Sequence, residues 1–109
     1  MGKFTIFKGK DSQFYFNLKS GNGEIILGSE GYALKQSCND GIASVKKHAP
    51  YDGYYERKFS SSGQYYFVLK ASNGQTIGKS QMYASAQGRD NGIEAVKKEA
   101  PYASIEDLT

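Results

Sequence analysis

The sequence predicts an α+β fold made of two copies of one strand–turn–strand–helix unit. Three observations carry this. Residues 13–51 and 64–102 align at a constant offset of 51, without a gap, and match at 20 of 39 positions. Each copy opens on an alternating run, FYFNLK from Phe14 and YYFVLK from Tyr65, with the period of two that marks a half-buried strand. Each copy closes on an apolar stripe at helical spacing that ends in Lys-Lys and a proline.

A unit of about 50 residues buries too little surface to fold alone. Two copies sharing one core solve that. The expectation is a single pseudo-twofold domain over residues 1–109, with repeat one at about 1–52 and repeat two at about 53–109.

In chain order, KFTIFK (Lys3 to Lys8) alternates and reads as the first strand, and Gly9 to Ser12 turns the chain. Phe14, Phe16 and Leu18 then face inward, with Tyr15, Asn17 and Lys19 outward. The second copy repeats this with Tyr65, Phe67 and Leu69 against Tyr66, Val68 and Lys70. Gly21-Asn22-Gly23 and Ser72-Asn73-Gly74 are hairpin turns, because Asn-Gly tolerates positive φ. A two-residue loop would set Ile26 opposite Lys19. A three-residue loop with Gly23 left-handed sets it opposite Leu18. Ile26 recurs as Ile77 while Ile25 and Leu27 give way to Thr76 and Gly78, so Ile26 is taken as the inward position and the three-residue loop follows.

Ser29 and Ser80 suit helix N-caps. The helices then carry Cys38, Ile42, Val45 and Ala49 in the first copy. Met82, Ala86, Ile93, Val96 and Ala100 form the second stripe, interrupted by Arg89. Gly41 and Gly92 inside these helices cost about 1 kcal/mol each against Ala. Close approach of helix to sheet would compensate; a helix broken and restarted at Asn39 or Asp90 is the other possibility. Lys46-Lys47 and Lys97-Lys98 complement the helix C-terminal dipole, and Pro50 and Pro101 end the helices. Tyr54 to Phe59 opens the second copy as a strand, and Ser104 to Leu108 follows the second helix in the same relation, as a short final strand.

No apolar run approaches the ~20 residues that a membrane helix needs, and the start lacks the apolar core and cleavage site of a signal peptide. One cysteine excludes an internal disulfide, and one Cys with one His offers no metal spacing and no cofactor motif. The expectation is a cytoplasmic protein. The net charge of +3 falls well short of the signature of a dedicated nucleic-acid binder.

The elements LKxxNG (Leu18 to Gly23, Leu69 to Gly74), the pairs Ser29/Tyr32 and Ser80/Tyr83, and GIxxVKKxA (Gly41 to Ala49, Gly92 to Ala100) together resemble the YegP-like family of small bacterial and archaeal proteins. The resemblance spans nearly the whole chain. It implies two β-β-β-α(-β) units around a single antiparallel sheet, with two helices packed on it and the terminal strands exchanged between repeats. It implies no activity and supplies no site residues.

His48 stands at a helix end and is replaced by Glu99 in the second copy, so it reads as a surface residue that the fold does not need. Cys38, replaced by Arg89, reads as a half-buried helix residue without the electropositive setting of a nucleophile. Asn39-Asp40 and Asp90-Asn91 read as helix-local turn or capping chemistry. The acids are scattered, no phosphate loop occurs, and no enzyme is expected. The remaining candidates are Tyr15, Tyr66, Lys19 and Lys70 on the outer sheet face, which outline a stacking platform flanked by cations. Tyrosine is also an ordinary strand residue. The functional expectation is a non-catalytic interaction domain for a protein or small ligand, monomeric through its internal duplication, with weak single-stranded nucleic-acid binding through the outer face as the alternative.

Overall fold

The computed structural model describes residues 2–109. Its elements are β1 (Lys3–Lys8), β2 (Phe14–Lys19), β3 (Ile25–Gly28), α1 (Lys35–His48), β4 (Tyr55–Phe59), β5 (Tyr65–Lys70), β6 (Thr76–Lys79), α2 (Ala86–Glu99) and β7 (Ser104–Asp107). All seven strands form one sheet in the order β4-β5-β6-β3-β2-β1-β7. The sheet is mixed where the expectation was antiparallel, because β7 runs parallel to β1. A strand that arrives from a helix, unlike one that arrives from a hairpin, is free to run either way along its neighbour.

Residues 51 apart meet at the centre: Gly28 of β3 pairs with Lys79 of β6. The pseudo-twofold axis therefore passes between these strands. Leu27 and Gly78, also 51 apart, sit beside it. A Cβ on Gly78 would lie 2.5 Å from Leu27 Cδ2. Two large side chains cannot both occupy this place, so one copy supplies Leu and the other supplies none.

Two expectations about β3 are corrected here. The three-residue loop is present: Ser20 N–H donates to Glu24 O at 2.9 Å, Gly23 N–H donates to Ser20 O at 2.9 Å, and Gly23 has φ +86. Ile26, however, is not opposite Leu18. A bulge follows the turn, so Lys19 faces Ile25 and Leu18 faces Leu27. Ile26 is the extra residue of the bulge, and both it and Leu27 are buried. Leu27, whose loss in the second copy suggested an outward position, belongs to the core.

Ser29 and Ser80 do not cap helices. Ser29 Oγ accepts from Phe16 N–H and donates to Glu30 O, and Ser80 Oγ does the same with Phe67 and Gln81. They hold the chain to the neighbouring strand as it leaves the sheet. The helices start later: α1 after Leu34 with no side-chain cap, α2 after Ser85, whose hydroxyl accepts from Gly88 N–H at 3.0 Å. Met82 consequently lies outside α2, partly exposed.

Both helices run unbroken through Gly41 and Gly92. A Cβ on Gly41 would lie 2.5 Å from Tyr32 Oη and 3.2 Å from Phe16; one on Gly92 would collide with Tyr83 Oη. Tyr32 stacks on Phe16 at 6.4 Å and Tyr83 on Phe67 at 6.5 Å. Each serine–tyrosine pair and each helical glycine is thus one packing device: the tyrosine ring wedges between sheet and helix, and the glycine admits its hydroxyl.

The same symmetry explains where the copies diverge. β1 lies between β2 and β7, and Phe4, Thr5 and Ile6 are buried. Its counterpart β4 is an edge strand and carries Glu56-Arg57-Lys58, charges that discourage edge-to-edge pairing. Arg57 pairs with Asp52 at 3.2 Å and Asp90 at 3.3 Å, tying β4 to α2.

Candidate site on the helix-free sheet face

The helices pack on the side of Phe16, Leu18, Phe67 and Leu69. On the opposite side the pairings Lys3↔Lys19, Phe7↔Tyr15, Glu56↔Val68, Lys58↔Tyr66 and Val68↔Lys79 place the polar and aromatic strand residues, and no helix covers them. The strand residues of this face include Lys3, Lys19, Lys58, Lys70 and Lys79 against Glu56 and Glu106. The strands alone thus give an excess of three positive charges, which Asp11 beside Tyr15 and Glu30 at the groove reduce.

Tyr15, Tyr66, Lys19 and Lys70 all lie on this face, but they do not converge. β2 and β5 are antiparallel and separated by β3 and β6. Asn17, Gly28, Lys79 and Val68 form one row across the four strands. Tyr15 and Tyr66 stand two residues off that row in opposite directions, which separates them by roughly 20 Å at ordinary strand spacing and rise. Lys19 and Lys70 diverge in the same way.

The two tyrosines also differ in environment. Tyr15 stacks on Phe7 at 5.6 Å and donates to Asp11 Oδ2 at 2.6 Å, which raises its own pKa and lowers that of Asp11. Tyr66 faces Lys58 across the ladder instead, and Lys79 Nζ lies 5.1 Å from its ring centroid. Lys70 is bound to Glu56 at 2.7 Å, as is Lys58; together, Lys58 first, they hold the Glu56 carboxyl at about 2. Lys19 makes no ion pair among the described residues.

Beside Tyr66 the face carries a groove of about 240 Å³ whose lining includes Gly28, Lys58, Tyr66, Val68, Thr76 and Lys79, with Glu30 also bordering it. Gly28, Lys58 and Lys79 escaped sequence reasoning because it favoured positions retained in both copies. The groove arises where the copies differ: Lys79 replaces Gly28, and Lys58 replaces Phe7. Those differences were the available signal.

His48 is buried, not a surface residue, and both ring nitrogens are engaged: Nδ1 lies 2.8 Å from Ser44 O, and Nε2 accepts from Ser72 N–H at 3.1 Å. The expectation that the fold does not need it is corrected: Glu99 does the same work, accepting from Gly21 N–H at 2.9 Å. Cys38 is fully buried rather than half-buried, and burial, then the Asp107 charge, pushes its thiol pKa up, away from nucleophilic character. Asp40 and Asn91 accept from Gln36 and Gln87 one helical turn earlier. Among the described residues no cluster of His, Cys, Asp and Glu gathers as a metal site requires, and no helix is long and apolar enough to cross a membrane.

These features define an α+β domain of two fused repeats on one open mixed sheet, with a basic face left free of helices. The chain belongs to the family described as a domain of unknown function, DUF1508, whose model matches it twice, at residues 10–56 and 60–107. It is 51% identical to the UPF0339 protein YegP of Escherichia coli O157:H7, covering 99% of this chain and 98% of that protein. It is 50% identical to a UPF0339 protein of Bordetella pertussis, covering 100% and 98%. The solution NMR structure of yegP from E. coli, a protein of unknown function, superposes with a TM-score of 0.94 at 50% identity, covering 99% of this chain and 93% of that one. A UPF0339 protein from Shewanella oneidensis gives 0.94 at 44% identity, covering 99% and 92%.

Proposed function

We propose that the protein is a small, non-catalytic, cytoplasmic binding domain, monomeric, that engages a protein or small ligand through the helix-free face of its sheet. The observation that carries this reading is a helix-free face whose strands carry five lysines against two glutamates, next to a groove lined by the Tyr66 ring. The two side chains best suited to covalent or acid–base chemistry support the same reading: Cys38 is sealed in the core, and His48 spends both nitrogens on backbone groups.

Weak binding of single-stranded nucleic acid is the second reading, favoured by the lysine excess. It is weakened by the spacing of Tyr15 and Tyr66, which leaves successive bases one platform instead of two.

The test is an amide NMR titration of the labelled protein with fractions of a native soluble extract. Perturbations confined to β2, β3, β5 and β6, and lost in a Tyr66→Ala/Lys79→Gln variant, support the reading. Perturbations centred on the helices would refute it.

A further inference from the structure

We propose that the groove beside Tyr66 takes a small planar anion, its ring laid on Tyr66 and its anionic group held between Lys58 and Lys79. The proposal rests on the binding reading above and names the ligand class for that surface. Lys79 Nζ stands 5.1 Å from the Tyr66 centroid, so an ammonium is already poised at the ring. The Lys79 side chain lies on the surface, and moving it from the ring face to the ring edge breaks no ion pair among the described residues. A planar group entering there trades a solvated cation–π contact for stacking plus a charge-assisted hydrogen bond.

Lys58 is the cross-strand partner of Tyr66 and brings the second cation to the same end of the groove. Its present partner, Glu56, retains Lys70 at 2.7 Å when Lys58 turns away. Gly28 lies on the row that crosses to Val68 and keeps the middle of the groove open, since its twofold counterpart there is the long side chain of Lys79. The register places Thr76 and Glu30 toward the end away from Tyr66. Glu30 repels a second anionic group there, so the groove favours a compact anion over a polyanionic strand. The first repeat offers no equivalent site: Phe7 covers Tyr15, Asp11 occupies its hydroxyl, and Gly28 replaces the clamping lysine.

The experiment is a chemical-shift titration of the full chain with adenosine 5′-monophosphate and with 4-hydroxybenzoate, each a planar ring bearing an anionic group. Adenosine, inorganic phosphate and a short oligonucleotide serve as controls. At least one planar anion is expected to shift the amides of Tyr66, Val68 and Lys79 saturably, more tightly than adenosine or phosphate. The affinity should fall about tenfold or more in Tyr66→Ala and in Lys79→Gln. Gly28→Val, which fills the groove without touching a charge, should weaken binding to the same degree, while Tyr15→Ala leaves it unchanged. The proposal is overturned if neither planar anion shifts those amides up to millimolar concentration, or if Gly28→Val and Lys79→Gln bind as wild type does. Tighter binding of the oligonucleotide, or of a neutral ligand on the same amides, also overturns the planar-anion assignment but leaves the binding face standing. Shifts confined to the helix side remove both.

Discussion

His48 and Ser72 are joined across the repeats: the Ser72 N–H donates to His48 Nε2 at 3.1 Å, and the opposite ring nitrogen faces the Ser44 carbonyl. His48 closes the helix of repeat one, while Ser72 belongs to the hairpin of repeat two. The mirror contact runs from Gly21 N–H in the first hairpin to Glu99 Oε2 at the end of α2, at 2.9 Å. Each helix therefore ends in an acceptor that clasps the other repeat's hairpin. An imidazole and a carboxylate do this equally well, because what the turn presents is one N–H donor.

The clasp predicts how His48 can be replaced. His48→Leu keeps bulk but leaves the Ser72 N–H without its acceptor; because that turn is exposed, the cost should be that of one ordinary hydrogen bond, about 0.5–1.5 kcal/mol. His48→Gln, which reaches the same N–H with a carbonyl oxygen, should retain most of the stability. Urea denaturation of both variants checks this. Tyr54 packs edge-on to the His48 ring at 4.6 Å between centroids, and equal losses would show that this packing matters and the acceptor does not.

The axis position yields a second prediction. Leu27→Gly opens a cavity beneath the sheet centre and should cost about 2–5 kcal/mol for the lost side chain, with about 0.5–1 kcal/mol more for the glycine. Gly78→Leu should also destabilise, since a Cβ at residue 78 already meets Leu27 Cδ2 at 2.5 Å. In the exchanged double variant, Leu27→Gly with Gly78→Leu, the side chain returns to the same space from the other repeat. Most of the loss should be recovered, a strongly non-additive double-mutant cycle. Additive losses would mean that the two halves do not share this space.

How far the sequence reaches can be seen at these positions. The duplication and the alternation in FYFNLK and YYFVLK were enough for the presence of the strands, the hairpins and the two helices and for the inward faces of β2 and β5, because these are dictated by local periodicity and turn chemistry. Leu27/Gly78 and His48/Glu99 misled the reading for one reason: a difference between copies was taken as a sign of dispensability. At an axis, or between two equivalent acceptors, differing residues do one job. The groove was hidden for the same reason, since Lys79 and Gly28 differ. Ser29 and Ser80 were misplaced because a serine before a helix and a serine leaving a strand have the same local sequence character, and only the position of Phe16 and Phe67 across the ladder distinguishes them.

The outer face should carry a measurable pH signature. Glu56 lies between Lys58 and Lys70, which bring its carboxyl from an ordinary 4.5 to about 2. A carboxyl whose folded pKa lies below its unfolded one stabilises the fold above the unfolded value, and the contribution is lost as pH falls through the folded one. Asp107 behaves in the same way, held at about 2 by Thr109 and then Lys35. The melting temperature should therefore fall between about pH 4.5 and pH 2, the window set by Glu56. Glu56→Gln should flatten that decline in part and added salt should shrink it, since these are exposed pairs. An unchanged slope in Glu56→Gln would remove Glu56 from the account.

The shared sheet predicts the behaviour of half the chain. Residues 1–50 alone would keep β1, β2, β3 and α1 but lose β7 from the free edge of β1, Gly78 beneath Leu27, and Glu99 from the Gly21 turn. α1 would lose its packing on β5 and β6. A unit of about 50 residues has little core to spare, so this fragment should show no cooperative melt when too dilute to pair. Raising its concentration should bring helical ellipticity and a cooperative transition together with dimers in sedimentation, because a second copy supplies a groove for the helix and a partner for β3. The measurement is circular dichroism against concentration. A cooperative melt that is independent of concentration, from a species sedimenting as a monomer, would mean that one repeat holds a complete interior, and the single-domain reading would fall.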